Sequence, residues 1–136
     1  MTSILTFAQY DGPAGAAVVT PVIDGRSLVD LVKAAGASAE FDGLAPDFES
    51  YGPLPTYFLG QNEVMQWWTW TDRLVLLSCT CGQYGCGNVT ARIEVGDQRV
   101  LWSDFIVDGV TQPLPDLGPF EFERSQYEAA AALLAG

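Results

Sequence analysis

Arg73–Phe105 reads RLVLLSCTCGQYGCGNVTARIEVGDQRVLWSDF and holds all three cysteines of the 136-residue chain. Three successive β-strands and two turns account for it. Arg73–Thr80 is apolar and β-branched, as a buried strand is. Gly82, Gly85 and Gly87 interrupt the pattern. In Asn88–Val95, Val89, Ala91, Ile93 and Val95 fall on one face, and Thr90, Arg92 and Glu94 on the other. That period of two marks a half-buried strand. Gly96-Asp97 provides a tight turn, and Arg99–Val107 returns as the third strand.

Working outward, Glu63–Asp72 carries Trp67, Trp68 and Trp70 and is expected to form a hairpin with Arg73–Thr80 through Thr71-Asp72. Upstream, Ser3–Tyr10 and Ala16–Ile23 flank the loop Asp11-Gly-Pro-Ala-Gly15 and read as a hairpin. Ser27 and Asp30 resemble a capping box, followed by the apolar stripe Leu28, Leu31 and Val32. Ala37–Tyr57 holds Gly43, Pro46, Gly52, Pro53 and Pro55 and reads as mostly loop with one short helical turn. Downstream, Asp108–Gly118 is a loop, and Phe120 and Phe122 alternate with glutamates in an extended segment. Ser125 and Glu128 suggest a second capping box. Tyr127, Ala130, Ala131 and Leu134 then line one helix face. The expected fold is one α+β domain over residues 1–136. It is a mostly antiparallel β-sheet meander with an N-terminal hairpin and two short helices packed on one face.

The chain is 49% apolar, enough for a core at this length without disulfides. Six basic residues face seventeen acidic ones, there is no histidine, and the net charge is −11. That balance opposes binding to nucleic-acid phosphates or to anionic lipid. It favours encounter with a protein partner that presents a basic surface. No apolar run reaches the length of a membrane span. The N-terminus lacks the basic and apolar regions of a secretory signal, so the expected location is cytoplasmic. Thiols are mostly reduced there.

Two places could carry function. In the first, Cys79 and Cys81 share a strand face, and Cys86 lies beyond a four-residue turn. Three converging thiolates would suit zinc or another thiophilic ion. With no histidine or fourth cysteine, a carboxylate, a water or a second chain would complete the shell. Cys81 and Cys86 could instead form a disulfide across the turn, or all three could pack as small apolar side chains. In the second, the carboxylates Glu40, Asp42, Asp47 and Glu49 precede the tryptophans Trp67, Trp68 and Trp70, with no base between Lys33 and Arg73. Carboxylates steer a basic partner, and tryptophan supplies short-range contact. The alternative reading is that the tryptophans are core and the acids only keep the protein soluble. A triad built on serine or cysteine lacks its histidine, so an enzyme is the less favoured reading. The two functional classes are a small acidic interaction domain, of immunity or inhibitor type, and a thiol site that is metal-holding or redox. Either suits a monomer or a homodimer.

The motifs Cys79-x-Cys-Gly-x-x-Gly-Cys86, Val100-x-Trp-x-Asp-Phe105 and Gly118-Pro-Phe-x-Phe-x-Arg-x-Gln-Tyr-Glu128 together resemble a small bacterial domain family with no established activity. The similarity runs from the cysteine turn onward and covers the rest only loosely. It implies that the cysteine turn and the C-terminal helix belong to one unit, and it assigns no catalytic residue.

Overall fold

The structure is a computed structural model and describes residues 2–11, 17–37, 41–44, 54–59, 73–79, 88–107 and 112–134. The described strands form two antiparallel sheets, and three helices accompany them. The α+β class and the antiparallel meander expected from the sequence are present.

β1 (Leu5–Asp11) and β2 (Ala17–Ile23) pair from Leu5↔Ile23 to Asp11↔Ala17. β3 (Arg26–Ser27) extends this sheet, with Ile23 opposite Arg26. Between them, Asp24 and Gly25 both have positive φ, 51° and 82°. Two such residues make the turn whose twist matches a hairpin, which Asp-Gly favours. The chain turns at this dipeptide and continues as β3. α1 (Leu28–Ala34) follows at once. Ser27 caps it, its Oγ accepting the Val29 N–H at 3.2 Å, and Leu28 and Val32 face the core.

Among the described residues the larger sheet has six strands. β4 (Phe41–Asp42), β5 (Arg73–Cys79), β6 (Asn88–Val95), β7 (Arg99–Val107) and β8 (Gln112–Pro113) lie in that order. β9 (Phe120–Glu123) shares an edge of β7 with β8. It covers Arg99–Trp102, while β8 covers Ile106 and Val107. α2 (Leu54–Tyr57) contacts α3 (Arg124–Ala132), and α3 packs on β1, β7 and β9. The expected Glu63–Asp72 strand lies outside the described residues. In the described part, β5 has β6 on one side and β4 against its last two residues.

Asp104 corrects the facing of β7. Val100 and Trp102 are buried at even positions, then Phe105 and Val107 at odd ones. Between Thr90↔Ile106 and Arg92↔Ser103 the partner strand has one residue and β7 has two, a bulge. Asp104 absorbs it with φ 53°. Aspartate tolerates that conformation and a β-branched residue does not. Asp104→Val is therefore expected to cost about 1–2 kcal/mol in urea unfolding, with loss of amide protection concentrated around Ala91 and Phe105.

The C-terminal helix starts earlier than the Ser125–Glu128 pattern suggests. Its cap is Glu123, and the Arg124 N–H donates to the Gln98 carbonyl at 2.8 Å. The β6–β7 turn thus satisfies a helix-end donor that a capping side chain would otherwise take. Ser125 lies inside the helix, and its hydroxyl donates to Glu123.

Among the described residues, two backbone seams join the sheets. Val19 and Leu44 exchange N–H···O bonds of 2.7 and 2.8 Å, and the Ser3 N–H donates to the Glu121 carbonyl at 2.7 Å. The shared core includes Leu5, Val19, Ile23, Leu44, Leu76 and Trp102. At its centre Trp102 packs edge-on to Phe122 and Tyr127, with ring centroids 5.1 and 5.9 Å away. No buried position among the described residues holds a charged side chain.

Candidate functional site

The register of β4 and β5 sets Phe41 opposite Cys79 and Asp42 opposite Ser78. The acidic stretch therefore joins the sheet beside the strand that leads into the cysteine turn. The backbones of Asp42 and Cys79 are placed in this way. Cys81, Cys86, Glu40, Asp47, Glu49, Trp67, Trp68 and Trp70 lie outside the described residues. Among the described residues no three Cys, Asp or Glu side chains form a group able to hold a metal ion, and no helix is long and apolar enough to cross a membrane.

The carboxylates have a consistent placement. Asp11, Asp24, Asp30, Glu94, Asp97, Asp104, Asp116 and Glu123 are exposed, and Glu121 and Glu128 are half-buried. An apolar core rejects charge, so the negative charge of these elements lies at the surface. Arg99 and Arg124 are tied to it. Arg99 Nη1 lies 2.8 Å from Glu121 Oε1, and Arg124 Nε lies 2.5 Å from Glu128 Oε1. Arg124 also donates to the Gly96 carbonyl at 2.9 Å. These groups line a recess of about 560 Å³ between the β6–β7 turn and the start of α3. Each guanidinium there already has a carboxylate, so the recess fastens the helix to the turn and offers an anion no uncommitted positive charge. Exposed pairs of this kind contribute little stability.

A second recess, about 350 Å³, runs between β1 and α3 and has no charged lining residue. Phe7, Gln9, Ala129 and Leu133 are among its walls. Leu133 is 80% exposed, the most exposed of the described large apolar side chains. Composition and motif spacing do not reveal this groove. It exists because β1 is a sheet edge and because alanines on α3 leave room beside it, and both depend on long-range packing. The alternation of Leu5, Phe7 and Gln9 is its only trace in the sequence.

Comparison of the chain with protein-family models, with curated proteins and with solved structures finds no match. The fold and surface thus define an acidic α+β protein with two antiparallel sheets.

Proposed function

We propose that the protein is a small acidic interaction domain, of immunity or inhibitor type, that occupies a basic surface on a protein partner. The observation that carries this reading is the distribution of charge. The chain has a net charge of −11, and none of the described carboxylates is buried, whichever element carries it. A field of that sign accelerates encounter with a positive patch and repels nucleic acid and anionic lipid. The carboxylates of the segment around Asp42 would add to the negative field, and tryptophan is a residue type that supplies short-range contact to a partner.

Salt dependence tests the reading. Screening shortens the reach of charge to about 8 Å at physiological ionic strength and to about 3 Å at 1 M. A partner captured from cell lysate on the immobilised protein at low salt is expected to be basic at its contact surface and to elute as salt rises. A partner held equally at high salt, or through an acidic surface, would refute the proposal. Stoichiometric zinc in the purified protein, with its thiols protected from titration, would shift the assignment to Cys79, Cys81 and Cys86.

A further inference from the structure

The outer edge of β1 is prepared for another strand. Leu5 directs both its N–H and its carbonyl away from β2. The Leu5 N–H donates to Gln126 Oε1 at 3.0 Å, and Gln126 Nε2 donates to the Leu5 carbonyl at 2.5 Å. One carboxamide thus makes the donor–acceptor pair that a neighbouring strand would make. In an antiparallel pair the outward direction recurs at every second residue, so Phe7 and Gln9 present their N–H and carbonyl groups on the same side. Pro21, which has no N–H to give, lies opposite Phe7 and agrees with this. None of the described groups receives these donors and acceptors. Beside them runs the uncharged groove against α3, lined on the helix side by Ala129 and Leu133.

An exposed edge with an apolar groove along it is the arrangement that takes an extended peptide, main-chain bonds giving affinity and alternate side chains entering the groove. Charge selects the occupant. Asp11 ends β1 at one end of this edge; Asp24 lies on the β2 side of β1, where its Oδ1 accepts the Ile4 N–H at 2.8 Å. A second copy of the chain would bring −11 against −11, whereas a segment with basic flanks would meet Asp11 and the negative field of the whole chain. We propose that the β1 edge and the α3 groove bind an extended apolar segment of a partner protein, flanked by lysine or arginine, as an added strand beside Phe7 and Gln9. This rests on the reading of the chain as an acidic interaction domain and gives that domain a docking place.

The test uses the full chain and two synthetic peptides, each alternating valine and threonine, one flanked by lysine pairs and the other by glutamate pairs. Excess lysine-flanked peptide is expected to slow hydrogen exchange at the Phe7 and Gln9 amides and to shift their NMR resonances, with affinity falling as salt rises. Gln9→Pro removes an outward-facing donor, a position where an edge strand accepts proline. It should keep the native spectrum and weaken peptide binding at least tenfold. N-methylation of alternate peptide nitrogens should have a similar effect. Binding that leaves Phe7 and Gln9 unprotected, or that Gln9→Pro does not weaken, overturns the docking site but not the acidic-domain reading. Equal binding of the glutamate-flanked peptide overturns the charge reading on which the proposal stands. Protection of the same amides by self-association, without peptide, assigns the edge to a second copy and also overturns it.

Discussion

Tyr127→Phe is expected to destabilise the fold by about 2–5 kcal/mol at neutral pH, seen as a lower urea midpoint at unchanged slope. The Tyr127 hydroxyl lies in the core and joins three elements. It accepts the Trp102 Nε1–H at 3.1 Å, tying α3 to β7, and donates to the Phe58 carbonyl just beyond α2. Trp102, Phe58 and Tyr127 are fully buried, so water cannot replace the missing oxygen. Each orphaned buried group costs about 1–3 kcal/mol. The phenyl ring remains, keeping its contacts with Trp102 and Phe122, so no cavity cost is added. A loss below about 1 kcal/mol, the net value of one ordinary hydrogen bond, would show that the hydroxyl does not bridge these groups. The same residue has an alkaline signature. Burial pushes its phenol far above the ordinary range, and the Trp102 hydrogen bond offsets only part of that. In the unfolded chain it ionises near pH 10. Above that pH the unfolded state binds fewer protons than the folded one, so stability falls as pH rises, by up to about 1.4 kcal/mol per pH unit for this group. The stability gap between wild type and Tyr127→Phe should therefore narrow above about pH 10.

What the sequence reveals of this fold follows the range of the forces involved. β6 and β7 are visible because their pattern is local; the bulge at Asp104 is not, because Leu101 and Ile106 are as apolar as the buried residues beside them and only the register against β6 defines it. The Ser27 cap is visible because its bond spans two residues. β4 and β8 are not, because two-residue strands such as Phe41–Asp42 and Gln112–Pro113 take their conformation from the neighbours they pair with. The true start of α3 is hidden for the same reason, since the acceptor of the Arg124 N–H is Gln98, on a different turn. The division into two sheets is a larger case. The N-terminal hairpin has a sheet of its own, and contacts at Val19–Leu44 and Ser3–Glu121 decide how it attaches. The cysteines and tryptophans are chemically conspicuous in sequence. The β1 groove consists of ordinary residues and becomes a candidate site only once strand order is known.

Gly43→Ala should cost at least about 3 kcal/mol, at the upper end of what overpacking does, because it strikes the seam that joins the two sheets. Gly43 precedes Leu44, whose N–H donates to the Val19 carbonyl and whose carbonyl accepts the Val19 N–H. A Cβ on residue 43 would fall on Thr20 Oγ1 and on the Val19 carbonyl oxygen, and within 2.6 Å of the Val19 carbonyl carbon. Thr20 is buried, and its hydroxyl lies 2.8 Å from the Tyr10 hydroxyl, so it has little room to rotate away. The carbonyl is strand backbone and is held on its other side by the rest of the β1–β2 pair. Relief thus requires the sheets to part at Val19. Amide exchange at Val19 and Leu44 should accelerate more than exchange at Ile93 or Trp102, which pair within the β6–β7 ladder. A companion substitution separates the two clashes. Thr20→Ala removes the hydroxyl but leaves the carbonyl, so the double variant Gly43→Ala, Thr20→Ala should recover little of the loss. Substantial recovery would place the clash on the side chain alone. A Gly43→Ala protein as stable as wild type, with Val19 and Leu44 still protected, would mean that the sheets do not meet at this seam.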